Sequence, residues 1–260
     1  MASSSAITLN DGTSIPILAY GTATALIRKD AKDWVKMAYN DAELRHIDTA
    51  AYYENEDTVG AALKELGTSR EEIFITTKWL SLSDAWREME ALRGEGKAKS
   101  IGVSNYIAVS QLEETLKHAE IVPSKPKRAA HYIDRSSSPG NGKIEVHPYV
   151  YAKAKPIIDY CHTKGIQIAC YTSLASIIAF PGGPVDAVVQ KIASEIGATE
   201  DQVLMKWAHQ VTYGGVVVTT SSKKDRLLGQ MNALTEMKEL TDEQIEEIVK
   251  TGAKKHQRVY

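Results

Sequence analysis

Asp48, Tyr53 and Lys78 are the residues of this sequence whose types and order could carry proton chemistry. Asp48 follows the run LRHI at 44–47, Tyr53 lies in the AAYYEN turn beyond it, and Lys78 follows the run IFITT at 73–77. A tyrosine hydroxyl, with an ordinary pKa of about 10, is a poor proton donor at neutral pH. A lysine cation beside it favours the phenolate and lowers that value, while an aspartate beside the lysine holds its charge and position. A tyrosine so placed can hand its proton to a carbonyl oxygen as hydride arrives at the carbon. Spacing alone leaves open the plainer alternative, a buried Asp–Lys pair with Tyr53 packed at its rim.

A second constellation follows the last apolar run. Ser221, Ser222, Lys223 and Arg226 stand at the head of a helix. Free backbone N–H groups and cations there make a site for an anion such as phosphate, although a solvated helix start reads the same way taken alone. Ser104-Asn105 could hydrogen-bond a carboxamide, and Tyr171 could stack on a flat ring. Each equally suits a loop polar pair or a core aromatic. His46 reads as a satisfied core histidine and His147-Pro148 as a structural pair at a strand end.

The elements behind these residues alternate. Strands are expected at 17–20, 44–47, 73–77, 99–103, 144–146, 167–171 and 215–219. Helices are expected at 31–39, 56–66, 85–92 behind a Ser83 cap, 109–119, 156–162, 185–196, 201–210, 226–233 and 242–250. Val59, Ala62, Leu63 and Leu66 show the i, i+3, i+4, i+7 spacing of a buried helical face. Thr199/Gln202 and Thr241/Gln244 read as capping boxes. Runs at 7–9 and 15–17 flank Asp11-Gly12, which suits a type I′ hairpin turn. Alternating β and α with Val-, Ile- and Thr-rich strands implies a parallel sheet covered on both faces. The dinucleotide GxGxxG, the phosphate loop GxxxxGK[ST], the zinc motif HExxH and the nucleophile elbow GxSxG are all missing. A (β/α) barrel remains, and barrel chemistry sits at the C-terminal strand ends, where every polar residue above lies.

Composition agrees. The chain has 260 residues, 43% apolar and 25% charged, which excludes disorder, collagen-like repeats and a disulfide scaffold. A single barrel domain over 1–260 suits that length. With 31 Lys plus Arg against 33 Asp plus Glu, nothing draws the chain to nucleic acid or an anionic membrane. No apolar run approaches the ~20 residues of a membrane helix, and MASSSAITLNDG has no basic-then-apolar signal pattern. Cys161 and Cys170 form no CxxC and read as reduced, buried thiols. A cytoplasmic monomer acting on a small molecule is expected.

At this point the residues resemble those of the aldo-keto reductases, NADP(H)-dependent (β/α)8 barrels that interconvert carbonyls and alcohols. The stretches that carry the resemblance include LNDGTSIPIL, RHIDTAAYYENEDTVGAAL, REEIFITTK, KSIGVSNY, IEVHPY and GGVVVTTSSKKDRL, in family order; the last is similar to fungal members. The resemblance implies that Asp48, Tyr53 and Lys78 are three of four catalytic residues, with Tyr53 the proton donor. It places Ser104 and Asn105 on the nicotinamide carboxamide and Tyr171 against the nicotinamide ring. Gly21, Thr22 and Asp48 border the NADP(H) site, and Ser221 and Arg226 contact the adenosine phosphate, with Ser222 and Lys223 beside them. Thr220 falls where many members carry a phosphate-binding lysine. No metal is implied.

Two departures matter. The family's fourth strand–helix unit, whose strand ends in the fourth catalytic residue, a histidine, has no counterpart; only 79–85 intervene between Lys78 and the WREMEAL helix. Seven strands are therefore expected, leaving those near 75 and 101 as open edges unless they pair directly. Secondly, 127–143 reads as a loop-like insertion, and Lys143 stands where a cofactor-contacting glutamine would be. His131, within it, lies in the wrong part of the barrel order to replace the histidine. A deletion and an insertion that both interrupt strand units fit misdrawn exon boundaries or an alternative transcript, which sequencing across both junctions would decide. The expected function is NADPH-dependent reduction of aldehydes and ketones, impaired by the lost histidine; the alternative is an inactive NADP-binding or regulatory protein of the same build.

Overall fold

Strand pairing accounts for most of the Val-, Ile- and Thr-rich runs. The computed structural model describes residues 5–78, 85–106, 108–118 and 141–259. A hairpin of β1 (Ala6–Thr8) and β2 (Ser14–Pro16) comes first, followed by β3 (Leu18–Gly21), α1 (Lys32–Asn40), β4 (His46–Asp48), α2 (Glu56–Leu66), β5 (Phe74–Thr76) and α3 (Ala85–Gly94). Then come β6 (Gly102–Ser104), α4 (Val109–His118), β7 (Asn141–Glu145), α5 (Pro148–Thr163) and β8 (Gln167–Tyr171). The chain closes with α6 (Ala175–Ile178), α7 (Pro184–Ile196), α8 (Glu200–Val211), β9 (Val216–Thr219), α9 (Lys224–Thr235) and α10 (Asp242–Gly252).

Seven strands form one curled half-barrel sheet in the order β5-β4-β3-β9-β8-β7-β6, parallel throughout. Among the described residues, β5 and β6 do not pair with each other; they are the two edges. Among the described residues the seven strands therefore do not close on themselves. Leu18, Ile47, Cys170 and Val217 are fully buried in one core with Leu204 and Trp207 of α8. Helices cover the sheet as amphipathic period predicts, and the Thr199 and Thr241 backbone N–H groups donate to Gln202 Oε1 and Gln244 Oε1 in the expected capping boxes.

Three details correct the sequence reading. The hairpin turn is wider than type I′: Gly12 N donates to Leu9 O at 2.9 Å, Leu9 N to Thr13 O at 2.8 Å, and Gly12 alone takes φ +80°. Strand β7 starts at Asn141, so the last residues of the 127–143 loop-like segment are strand; pairing with β6 on one side and β8 on the other overrides the weak strand propensity of Asn-Gly. Helix α5 starts at Pro148, a first-turn proline, eight residues before the expected start, and runs through exposed Pro156. Ser83, the 79–84 junction and His131 lie outside the described residues.

Candidate active site

Parallel pairing brings the strand ends to one rim. Asp48 ends β4 between Gly21 of β3 and Thr76 of β5 and is only 2% exposed. Lys78, just past β5, reaches back so that its Nζ lies 3.0 Å from Asp48 Oδ1, and it also donates to the Thr49 carbonyl. The same Nζ is 5.1 Å from the centroid of the Tyr53 ring. Tyr53 rides on a single 3-10 turn, Ala51–Tyr53, left through Glu54 at φ +51°. Below it, Thr22 Oγ1 lies 3.0 Å from Thr49 Oγ1, and the buried Asn55 amide donates to the Thr22 and Leu26 carbonyls at 2.9 and 2.8 Å. These bonds tie the loop after β3 to the loop after β4, so the three chemical residues do converge.

Lys143 joins them, and the sequence reading had not counted it as a site residue. It is 6% exposed and donates from β7 to Asp48 Oδ1, the oxygen that Lys78 also holds. The signal was present: alternate strand residues share a face, so Lys143 and Glu145 point the same way. Two ammonium groups thus meet one buried carboxylate. Burial opposes ionisation of Asp48, but Lys143 and Lys78 outweigh it and hold the carboxyl below its usual range. Burial lowers the Lys78 ammonium, Asp48 pulls it back up and Lys143 pushes it down again, leaving it at about 7. Burial takes His46 down to about 4; its Nδ1 lies 3.2 Å from Pro16 O and its Nε2 2.8 Å from Thr76 Oγ1, as a satisfied core histidine should.

Tyr171 ends β8, and its hydroxyl donates to Asn105 Oδ1 at 2.6 Å. Asn105 follows Ser104 at φ +61°, and its N–H donates to the Lys143 carbonyl at 2.8 Å. Ser104, Asn105 and Tyr171 therefore form one rim segment, with Lys143 Nζ 5.5 Å from the Tyr171 ring centroid. Beyond β9, Tyr20 donates to the Ser221 carbonyl at 3.2 Å, and Ser221 Oγ accepts the Lys223 N–H at 3.0 Å. Ser222, Lys223 and Arg226 are exposed. Arg226 lines a cleft of about 630 Å³ with Leu174, Ile177, Ala193, Glu200 and Asp201. Thr220 Oγ1 donates to Gly21 O at 2.7 Å.

The model of the aldo/keto reductase family matches residues 18–83 and 79–253. The chain belongs to that family. Members of the aldo/keto reductase family are oxidoreductases. The chain is 30% identical to an NAD/NADP-dependent indole-3-acetaldehyde reductase of Schizosaccharomyces pombe, covering 96% of each. It is 30% identical to a glyoxal reductase of Bacillus subtilis, over 85% of this chain and 84% of the relative. Its fold superposes on a crystal structure of a Bombyx mori aldo-keto reductase with NADP at a TM-score of 0.79 and 24% identity, covering 96% of this chain and 94% of the other. The two stretches matched to the aldo/keto reductase model overlap at 79–83. No helix among the described residues is long and apolar enough to cross a membrane.

Proposed function

We propose that this chain reduces aldehydes and ketones to alcohols with NADPH, with Tyr53 as the proton donor. The observation that carries this reading is the file of Asp48, Lys78 and Tyr53, in which one ammonium lies 3.0 Å from the carboxylate and 5.1 Å from the phenol ring. The cation favours loss of the Tyr53 proton, and Asp48 keeps the cation in place. NADPH, when bound, supplies the hydride.

The donor set fits such a cofactor. Lys223 and Arg226 present cations at the head of α9, whose cap residue Lys223 makes no side-chain cap bond to the first-turn N–H groups. Ser221 lies beside them, and the cleft at Arg226 offers room for an adenosine. With Thr220 turned to Gly21, Lys223 and Arg226 are left to discriminate the 2′-phosphate. At the other end, Ser104 and Asn105 supply hydrogen-bonding groups and Tyr171 a ring face, with Gly21, Thr22 and Asp48 bordering the space between.

A second reading is favoured by Lys143 and by the lost histidine: an NADP-binding protein of weak or no turnover. Loss of one preorganised donor to the carbonyl oxygen slows reactions of this kind by about 10²–10³. NADPH oxidation across a panel of aldehydes, beside a version with the fourth strand–helix unit restored, tests both. Turnover lost in Tyr53→Phe supports the first reading. Cofactor binding without turnover, restored by the added unit, supports the second. A chain that binds no NADPH overturns both.

A further inference from the structure

We propose that Lys143 makes the site discriminate between the oxidation states of the nicotinamide, favouring the reduced, uncharged ring over the oxidised, cationic one. The inference rests on the NADPH reading above and extends it to a residue that reading does not use.

Three features place the ammonium. Lys143 lies in register with Ser104 on β6 and Ala169 on β8, inside the rim segment formed by Ser104, Asn105 and Tyr171. Its Nζ stands 5.5 Å from the Tyr171 ring centroid, so a flat ring laid against Tyr171 meets a cation at close range. Its side chain is 8% exposed, so water screens that charge poorly.

The neighbouring charges do not cancel it. Asp48 Oδ1 is shared between Lys143 and Lys78, so one carboxylate faces two ammonium groups. Buried His46, lowered to about 4, is neutral near pH 7 and adds no charge of its own. Glu145, the next residue on the same strand face, is engaged instead with His147, Arg258 and the Val259 N–H. At and below about pH 7, where Lys78 keeps its proton, the two lysines outnumber the one carboxylate and a ring bound here experiences a net positive field.

The two forms of the cofactor share their adenosine, phosphates and riboses. They differ in the nicotinamide, which carries a full positive charge only when oxidised. A difference in their affinities therefore isolates the ring. Two unit charges about 5 Å apart at an effective dielectric constant of about 20 repel strongly enough to shift affinity about a hundredfold, and partial compensation by Asp48 leaves about tenfold or more. Each tenfold in that ratio raises the two-electron potential of the bound couple by about 30 mV. Lys143 thus holds the reduced cofactor and resists its oxidation.

Calorimetric titration of the full chain with NADPH and, separately, with NADP⁺ tests this without any turnover. The wild type is expected to bind NADPH at least tenfold more tightly than NADP⁺. Lys143→Gln and Lys143→Met are expected to bring the ratio within about threefold, chiefly by tightening NADP⁺. Adenosine 2′,5′-bisphosphate, which lacks the ring, is expected to bind all three proteins alike and shows that the variants are folded. Equal affinities in the wild type, or the same ratio in both variants, overturn the role of Lys143 while leaving the NADPH reading intact. Failure of the wild type to bind either form overturns both.

Discussion

Lys78 and Lys143 meet on one oxygen of Asp48, having come from opposite halves of an open sheet. Lys78 follows β5, one edge; Lys143 sits on β7, next to the other edge, β6. The shared carboxylate is both a piece of candidate catalytic machinery and the ionic link between the halves.

Removing the proton donor comes first. Tyr53→Phe keeps the ring beside Lys78 and deletes only the hydroxyl. General acids of this kind contribute about 10²–10⁴ in rate. NADPH oxidation with an aromatic aldehyde should fall by at least about 10² while NADPH binding, followed by nicotinamide fluorescence, stays within a factor of two or so. Unchanged turnover would remove Tyr53 from the mechanism.

The charge balance predicts a pH effect with a definite sign. The Lys78 ammonium is lowered to about 7 by burial and by Lys143, against the pull of Asp48, whereas in the unfolded chain it titrates near 10.4. Between these values the unfolded chain binds more protons, so this group makes the protein gain stability as pH rises from about 7 toward 10 and lose it on the way back down. Lys143→Gln removes one lowering influence, so Lys78 titrates higher and the gain shrinks. Urea denaturation midpoints at pH 7 and 9 compare the two proteins; an equal gain in both would contradict the coupling.

Asp48→Asn leaves the buried Lys143 ammonium without its carboxylate and removes the pull that keeps Lys78 protonated. Breaking a buried ion pair by removing one partner destabilises by about 3–5 kcal/mol. Chemical denaturation should show a loss of that size, partly recovered in the double variant Asp48→Asn/Lys143→Met. A loss below about 1 kcal/mol would mean that water screens the cluster.

The C-terminal segment gives an independent prediction. The Glu145 carboxylate accepts the Arg258 Nε–H at 3.0 Å, the Val259 N–H at 2.7 Å and His147 Nε2 at 3.1 Å. Burial alone would raise this carboxyl, yet His147, Val259 and Arg258 hold it below its usual range. The clamp is therefore complete above the ordinary carboxylate range and is lost as pH falls through that lowered value. Glu145→Gln weakens it at every pH. Carboxypeptidase should trim the variant several-fold faster than the wild type at pH 7, with little change in global unfolding.

Much of this was legible in the residues. The i, i+3, i+4, i+7 spacing of Val59, Ala62, Leu63 and Leu66 placed α2, and short apolar or β-branched runs such as IFITT and GVVVT, alternating with helices, placed strands, because both patterns report on which side chains are buried. The convergence of Asp48 and Lys78 followed from adjacent parallel strands ending at one rim. Lys143 was harder. Its flanking Asn-Gly has poor strand propensity and follows a polar stretch, and only pairing with β6 and β8 makes it strand. Tertiary pairing between distant segments leaves no local trace, and so the sequence shows Lys143 only at a cofactor-contacting position and not its bond to Asp48.

The opening between β5 and β6 also has a price in time. One block of the sheet, β5-β4-β3, ends at Thr76, and the other, β9-β8-β7-β6, is finished only at Thr219; among the described residues β3 and β9 form the only strand pair between them. At roughly 5–20 residues per second, a ribosome needs about 10–40 s between β3 and β9. A closed barrel would offer the first block a second partner sooner, in its fourth strand. Among the described residues, the first three strands of the sheet thus wait through most of translation with unpaired edges, the state in which strands are most exposed to pairing with another chain.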